Sequence, residues 1–289
     1  MRRVCYFHAG CPDGFGACWS VWRAWGDAGT YTPRGHDDLL DALEHEGDQV
    51  VFVDIAPSPR LAVELGETAS QLVVLDHHLT ARDQYLRDGR LVPSLRDRGH
   101  HVEFDLDHSG AVLAWRHFHP DEPVPTLLLY VEDQDLWNWK LPLTEEVNAA
   151  IGSHPRQLAC WDALAQRPWE ELAAEGAPLV RERRIEVERC LRFAHPIRIG
   201  ELRVEAVNAP QHRSHVGHAL AQRAAFGHPI GVVYRVMGAR VDVSIYSIGD
   251  LDVSLLASGF GGGGHRNASG FSVTLSRWAE RFVNGARAR

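Results

Sequence analysis

The sequence predicts an α/β protein made of a parallel-sheet domain, a helical linker and a smaller mixed α/β domain. Three observations predict this class. Short Val-rich apolar runs alternate with helical stretches in the first half of the chain, a charged amphipathic helix without neighbouring strands follows, and strands with alternating polar and apolar residues return near the end. The 289 residues are also enough for two domains of ordinary size.

Three buried strands are expected in the first domain. They are the runs RRVCYFHAG (2–10), VVFVDIAPSP (50–59) and QLVVLDHHL (71–79). Each is short, apolar and bounded by Pro, Gly or polar residues, which is typical of strands buried on both faces of a parallel sheet. Helices between such strands imply right-handed crossover connections.

Helices are expected between and after these strands. Apolar residues recur at helical spacing from residue 15 to 25, and residues 36–47 form a second, more polar pattern. A helix is also expected at 109–118, where Ser109 has the side chain of an N-cap. The segment 126–137 predicts a further helix whose C-terminal end carries two aspartates.

The composition changes near residue 178, where a charged helical pattern begins. It predicts a first domain at 1–178 and a second domain at 196–289, joined by a linker helix at 179–195. In the second domain, strands are expected at 202–208, 231–237, 240–247 and 271–275, and helices at 216–225 and 252–260.

The composition excludes several classes of function. Lys and Arg number 30 against 38 Asp and Glu, a formal charge of −8, whereas proteins that track long nucleic acid gain affinity by neutralising many phosphates. A long duplex is therefore not an expected partner.

No apolar run approaches the roughly 20 residues that cross a bilayer, and Pro12 comes too early for a secretory signal. Five cysteines without CxxC spacing favour free thiols, so a cytoplasmic protein without a membrane partner is expected.

Ligand-type side chains follow all three predicted strands. A glycine-rich loop at 8–16 follows the first, Asp54 follows the second, and Asp76, His77 and His78 follow the third. One such aspartate is usually a turn or cap residue, but three strand ends at the ligand-binding edge of one sheet are a more specific signal. Oxygen and imidazole ligands without thiolate favour Mn²⁺ or Mg²⁺.

The segments VFVDIAP, LVVLDHHL and GFGGGGHRNASGF, in this order, resemble the motifs of the DHH phosphoesterase superfamily. Its members pair a metal-binding DHH domain with a smaller DHH-associated domain that carries a GGGH signature. The resemblance spans nearly the whole chain. It implies hydrolysis of phosphate esters or anhydrides, a pair of Mn²⁺ ions, and an active site in the cleft between the domains.

The resemblance also implies which residues act. The expected metal ligands are His8, Asp13, Asp54, Asp76, His77 and one of Asp133 and Asp135. The expected catalytic residues are Asp76, His77, His78 and His265. The chain departs from the family at Cys11, which stands where an earlier aspartate is usual. Three alternatives stay open there: Cys11 itself ligates, a water completes the site, or one metal binds more weakly.

The resemblance places substrate phosphate at the glycine run of the second domain. The expected substrate-binding residues are Gly261, Gly262, Gly263, Gly264, His265, Arg266 and Asn267. Four glycines between a helix and a strand favour bare backbone at a ligand over a flexible linker. Tyr246 stands where the family tends to carry an arginine, which suggests base stacking instead.

The expected function is a two-metal phosphodiesterase acting on short oligonucleotides or small nucleotides, of the nano-RNase, exonuclease or cyclic dinucleotide phosphodiesterase type. An exopolyphosphatase or other phosphoanhydride hydrolase is the alternative within the enzyme class. A nucleotide-sensing module that binds without turnover is the alternative from another class. A homodimer is compatible with all three.

Overall fold

The computed structural model describes residues 1–35, 39–87 and 89–286. The chain divides into two compact units, Met1–Val180 and Arg181–Arg289. Within the described ranges, none of the helices combines the length and apolar character needed to span a membrane.

A parallel sheet forms the centre of the first unit. In the described part of that unit the sheet has five strands in the order β2-β1-β3-β4-β5, all parallel. The strands are β1 (Arg3–His8), β2 (Gly29–Arg34), β3 (Gln49–Val53), β4 (Gln71–Asp76) and β5 (His101–Phe104). The three predicted strands are β1, β3 and β4, and they are the interior ones.

Helices cover both faces of this sheet. They are α1 (Pro12–Trp25), α2 (Pro59–Thr68), α3 (Leu79–Leu86), α4 (Leu91–Asp97), α5 (Gly110–Phe118), α6 (Thr126–Asp135), α7 (Thr144–Ser153), α8 (Leu158–Ala165) and α9 (Trp169–Leu191). Alternate strand residues point to opposite faces. Val73 and Leu75 pack under α1 and α5, whereas Leu72 and Val74 pack under α2 and α4. The sheet is thus buried on both sides, as its Val-rich strands predict.

The polar helix expected at 36–47 does not form as predicted. Residues 36–38 lie outside the described residues, and the remainder contains a single 3₁₀ turn at Ala42–His45. Leu39 and Leu43 are 96 % and 74 % exposed. Because this segment has little apolar surface to bury, packing does not stabilise a longer helix.

The glycine-rich segment 8–16 is mostly helical rather than a loop, because α1 already begins at Pro12. Cys11 is its N-cap and Pro12 occupies the first turn, a position that proline favours. A Cβ atom on Gly14 would lie 2.2 Å from the carbonyl oxygen of His8. Glycine at position 14 therefore allows α1 to pack closely against the end of β1.

The second unit contains a mixed sheet. In the part of it that is described, six strands follow the order β10-β11-β9-β8-β7-β6, with one parallel pair, β7 and β8. The strands are β6 (His195–Ile199), β7 (Leu202–Asn208), β8 (Ile230–Met237), β9 (Arg240–Ser247), β10 (Gly263–His265) and β11 (Ala268–Thr274). The helices are α10 (Arg213–Arg223), α11 (Val253–Ser258) and α12 (Leu275–Arg277), followed by helical turns at Trp278–Val283 and Asn284–Ala286. The predicted class, a domain with a parallel α/β sheet followed by a smaller mixed α/β domain, is confirmed.

The predicted linker differs in its bounds. The helix α9 begins at Trp169 rather than at 179 and contains Pro178 in its interior. The last part of the expected linker, from His195, pairs with β7 as the antiparallel strand β6. Its apolar residues Ile197 and Ile199 are buried in the core of the second unit, which explains why this short segment is a strand.

Candidate metal centre

The carboxyl ends of β1, β3 and β4 bring their polar side chains together. His8 ends β1, Asp54 follows β3, and Asp76 ends β4. The Nε2 atom of His77 lies 2.9 Å from Asp54 Oδ1, and Nδ1 of His8 lies 3.3 Å from Asp54 Oδ2. Three sequence motifs thus meet at one edge of the parallel sheet, where open sheets bind ligands.

The backbone of Asp54 is left-handed, with φ of 56°. This conformation is uncommon outside glycine, although aspartate and asparagine tolerate it better than most residues. A Cβ atom on Gly110, at the start of α5, would lie 2.4 Å from Cβ of Asp54. The fold therefore needs glycine at position 110 to place Asp54, a requirement that the sequence analysis missed.

His77 lies between three carboxylates. Its Nε2 atom is 3.4 Å from Asp13 Oδ2 and 3.6 Å from Asp135 Oδ2, in addition to its contact with Asp54. Burial alone would lower the pKa of His77, but the hydrogen bond and charge of Asp54, followed by the charge of Asp135, raise that pKa well above its usual value. In the absence of a bound cation, the surrounding carboxylates therefore favour the protonated form of His77.

The carboxylates themselves differ in their ionisation. Burial, followed by the charges of Asp54 and Asp135, raises the pKa of Asp13 well above its ordinary value. Burial also raises the pKa of Asp135. Burial opposes ionisation of Asp54 too, yet its hydrogen bonds with His77 and His8 hold its pKa well below the ordinary value. In the absence of bound cations, the ionised form is thus favoured at Asp54 and disfavoured at Asp13 and Asp135.

Asp76 provides the clearest indication of a missing partner. Its Oδ1 atom accepts hydrogen bonds from the backbone N–H of His77 (2.8 Å) and lies 2.7 Å from Nδ1 of His78. Its Oδ2 atom is buried and accepts no hydrogen bond from any residue that the structure describes. Burial opposes ionisation, but the charge and hydrogen bond of His78 lower the pKa of Asp76. A buried, ionised oxygen without a donor is costly, and a bound cation removes that cost.

The donor set fits divalent cations that prefer oxygen ligands. Two groups each bring three ligand atoms within 4.8 Å of one another, namely His8 with Asp54 and His78, and Asp13 with His77 and Asp135. Across the described ranges, no Lys or Arg side chain forms an ion pair with these carboxylates. Two adjacent groups rich in carboxylate and imidazole suit a pair of Mn²⁺ or Mg²⁺ ions.

The two aspartates of α6 have different surroundings. The carboxylate of Asp133 accepts hydrogen bonds from the backbone N–H groups of Lys140 (2.9 Å) and Leu141 (3.1 Å) and from the hydroxyl of Thr144. Asp135 instead faces His77, and its side chain is 28 % exposed. Asp133 therefore has a structural role in the turn after α6, and Asp135 is the ligand candidate of this helix.

Asp13 is positioned by the N-terminus of α5. Its two carboxylate oxygens accept hydrogen bonds from the backbone N–H groups of Gly110 (2.8 Å) and Ala111 (3.0 Å). The side chain of Ser109 caps the same helix, as predicted. The first N–H groups of a helix lack partners within it and attract anions. Ser109 was the signal from which this positioning of Asp13 could have been inferred.

Cys11 lies within the cluster. Its Sγ atom accepts a hydrogen bond from the backbone N–H of Gly14 (3.2 Å) and lies 3.4 Å from Asp54 Oδ2 and 3.5 Å from His8 Nδ1. Burial, followed by the charges of Asp54 and Asp13, raises the pKa of Cys11 well above its usual value. Position 11 is therefore within reach of the candidate ligands, and its raised pKa favours the neutral thiol there.

The glycine run of the second unit contains fewer free donors than expected. The N–H groups of Gly261 and Gly262 donate to the carbonyls of Ser258 (3.0 Å) and Ala257 (3.0 Å). The last carbonyls of α11 need these partners. The expected role of Gly261 and Gly262 in binding phosphate stays a prediction. Gly264, with φ of 139°, packs so closely on β11 that a Cβ atom would lie 2.7 Å from the carbonyl oxygen of Ala268.

The side chains after this run also bind within their own unit. Asn267 donates from Nδ2 to Ser247 Oγ and to the carbonyl of Gly249, both at 2.9 Å. Arg266 donates to the carbonyl of Asp250 at 2.6 Å. These contacts anchor the loop after β9, so both side chains have a structural use that the sequence did not indicate. His265 ends β10 and is partly exposed.

Tyr246, the expected stacking residue, packs against α10. A Cβ atom on Gly217 would lie 2.0 Å from Cδ2 of the Tyr246 ring. The helix therefore covers part of the surface on which a base would stack.

Comparisons with known proteins place the fold. No family model matches the chain. It is 27 % identical over 294 residues to uncharacterized protein R106 of Acanthamoeba polyphaga mimivirus, covering 94 % of this chain and 67 % of that protein. Among solved structures it is similar to a pGpG-specific phosphodiesterase, PggH from Vibrio cholerae, with a TM-score of 0.45 and 12 % identity, over 99 % of this chain and 97 % of that one.

It is also similar to an exopolyphosphatase-related protein from Bacteroides fragilis, with a TM-score of 0.52 and 11 % identity, over 93 % of this chain and 86 % of that one. This likeness concerns the fold, and it agrees with the motifs at the ends of β3 and β4. The resemblance inferred from the sequence is thereby confirmed for the fold: the chain has the fold of the DHH phosphoesterase superfamily.

Proposed function

We propose that this chain is a metal-dependent phosphoester hydrolase that cleaves phosphodiester bonds in short oligonucleotides or small nucleotides. The observation that carries the proposal is the buried cluster at the carboxyl edge of the parallel sheet. It gathers carboxylates and imidazoles without Lys or Arg partners in the described residues, and it leaves Asp76 Oδ2 without a donor there. Such a cluster is expected where divalent cations bind.

Two Mn²⁺ ions are the proposed cofactors, with Mg²⁺ as the alternative. The proposed ligands are His8, Asp13, Asp54, Asp76, His77 and Asp135. When bound, such ions activate a water molecule near neutral pH and neutralise the charge that develops on the phosphoryl group. The protein then needs no nucleophilic side chain of its own.

The remaining residues of the cluster position these ligands. His78 contacts Asp76 Oδ1 at 2.7 Å, which fixes the orientation of that carboxylate and directs Oδ2 away from the hydrogen bond. The backbone N–H groups at the N-terminus of α5 fix the orientation of the Asp13 carboxylate. Such partners fix the ligand orientation on which metal affinity depends. We propose that Gly263, Gly264 and His265 bind the substrate phosphate.

A short substrate suits the charge of the protein. The formal charge is −8, and a long polyanion would need a basic track to offset repulsion. This favours short oligonucleotides and small nucleotides over long polyphosphate.

All five cysteines are free thiols, which supports a reducing, cytoplasmic location.

A substrate screen tests the proposal. Short RNA and DNA oligomers, cyclic dinucleotides, phosphoadenosine phosphate and polyphosphate would each be incubated with the protein and Mn²⁺. We expect hydrolysis of the short phosphodiesters. Cleavage of polyphosphate alone would make the chain a phosphoanhydride hydrolase, and nucleotide binding without any turnover would make it a sensing module.

His265→Ala is expected to lower kcat/KM for a short oligonucleotide by about 100- to 1000-fold, the usual effect of removing one transition-state contact. The affinity for Mn²⁺ should not change, because the proposed ligands belong to the first unit. Kinetics and equilibrium dialysis measure the two quantities. His228→Ala, in the loop before β8, is the matched control. A His265→Ala protein with unchanged kcat/KM would make the glycine run purely structural.

A further inference from the structure

A second group of potential metal ligands lies on the edge strand β5. His101 Nε2 is 3.1 Å from Glu103 Oε2, and the ring of His117, in the last turn of α5, is 4.6 Å from the ring of His101 between centroids. One ligand atom from each of these three residues lies within 4.8 Å of the other two. None of the three residues belongs to a sequence motif described above, and none takes part in the proposed hydrolysis.

The fold places these three side chains on one face. His101 and Glu103 are two residues apart on β5, so they point to the same side of the sheet. Their register partners on β4, Val73 and Leu75, are buried in the core that α5 covers. His117 reaches this face from the end of α5. The group is therefore built on a strand and a helix, which hold ligands more firmly than loops do.

We propose that His101, Glu103 and His117 form a zinc site, separate from the candidate metal centre. The helix α5 separates the two. Its first residue, Gly110, contacts Asp54 and Asp13 in the centre. His117 is two turns further along, at about 1.5 Å per residue. The two metal sites thus lie at opposite ends of one helix.

The ligand chemistry favours Zn²⁺ at this position. Two imidazoles with one carboxylate, and water as the fourth ligand, are a common zinc set. Ligand atoms in tetrahedral zinc are about 3.3 Å apart, so small side-chain rotations would close the site. The side chains of His101 and Glu103 are 41 % and 43 % exposed, which gives water access. Imidazole-rich sites prefer Zn²⁺ over Mn²⁺, whereas the carboxylate-rich centre suits Mn²⁺.

The state of the ligands agrees with this assignment. In the described part of the chain, Glu103 has His101 as its ion-pair partner and no Lys or Arg. Zinc bound here would tie the edge strand β5 to the end of α5 and stabilise the first unit.

The test measures zinc binding and thermal stability of the full chain in excess Mn²⁺. Bound Zn²⁺ is determined by equilibrium dialysis, and Tm is recorded with and without one equivalent of Zn²⁺. We expect wild type to bind one more zinc ion than His117→Gln, and the zinc-dependent rise in Tm to be lost in the variant. Mn²⁺-dependent hydrolysis should be unchanged, since none of the three residues belongs to the candidate metal centre.

His154→Gln is the matched control, because His154 contacts Glu175 at 2.6 Å in a His–Glu pair and does not belong to a potential metal group in the described residues. It should bind zinc like wild type. Should His117→Gln fail to fold, the half-exposed His101→Gln and Glu103→Gln give the same measurement. Equal zinc stoichiometry and equal Tm shifts in wild type and all folded variants would overturn the proposal.

Discussion

Asp54→Asn is expected to lower kcat by about 1000-fold or more while the fold stays intact. Asp54 is the carboxylate on which both ligand groups converge, since it contacts His77 through Oδ1 and His8 through Oδ2. Loss of a ligand should exceed the 10- to 100-fold effect of changing an outer-shell partner. Asparagine is chosen because it tolerates the φ of 56° at this position, where alanine would be strained.

The measurement is kcat on a short oligonucleotide at Mn²⁺ concentrations that saturate wild type, with Tm recorded in parallel. Asp97→Asn, an exposed change at the end of α4, controls for the loss of one negative charge. Near wild-type kcat in Asp54→Asn would remove this residue from the proposed ligand set.

Asp133→Asn and Asp135→Asn are expected to have opposite effects on activity and stability. In Asp133→Asn an amide NH₂ would face the N–H groups of Lys140 and Leu141, so the free energy of unfolding should fall by about 1–3 kcal/mol with kcat retained. In Asp135→Asn one ligand candidate is lost, and kcat should fall by about 100-fold or more.

The thermal stability of Asp135→Asn and wild type, both without metal, is the second comparison. Burial raises the pKa of Asp135, so its ionised form is unfavourable in the metal-free protein. The neutral Asp135→Asn should therefore unfold at the same temperature as metal-free wild type, or higher. Thermal unfolding in chelator and kinetics in Mn²⁺ measure the two effects. If both variants kept full activity, neither aspartate of α6 would be a metal ligand.

The sequence predicted the interior of the parallel sheet and missed its edges. β3 and β4 are continuous apolar runs because both faces are buried, and this pattern is visible without a structure. The edge strand β2 contains Pro33 and is only partly buried, and β5 has four residues with a single fully buried side chain. Edge strands tolerate proline and polar residues, so their composition does not distinguish them from loops.

The sequence motifs predicted the residues at the strand ends, but they did not predict which aspartate of α6 faces the site. The strand ends placed Asp54, Asp76 and His77 together. Asp133 and Asp135 are two residues apart on α6 and so point to nearly opposite sides of it, which means that one faces the site. Which one does so depends on the turn from Lys140 to Thr144, and its hydrogen bonds to Asp133 leave no periodic signal.

The sequence also does not predict which N–H groups of the glycine run are already hydrogen-bonded. A sequence GGGGH indicates exposed backbone, but whether an N–H group is available depends on where the preceding helix ends. Here α11 ends at Ser258, and its last carbonyls take the N–H groups of Gly261 and Gly262. Tertiary packing fixes the last residue of a helix to within a residue or two. Helix propensity alone does not predict the helix end with that precision.

The central claim is that divalent cations bound at the end of the parallel sheet make this chain a hydrolase. The most direct measurement strips the protein of metal with a chelator, dialyses it, and follows bound Mn²⁺ and oligonucleotide hydrolysis together as Mn²⁺ is added back. We predict no hydrolysis without metal and full recovery as the second equivalent binds in the centre. Full hydrolysis by the stripped protein in excess chelator would contradict the account.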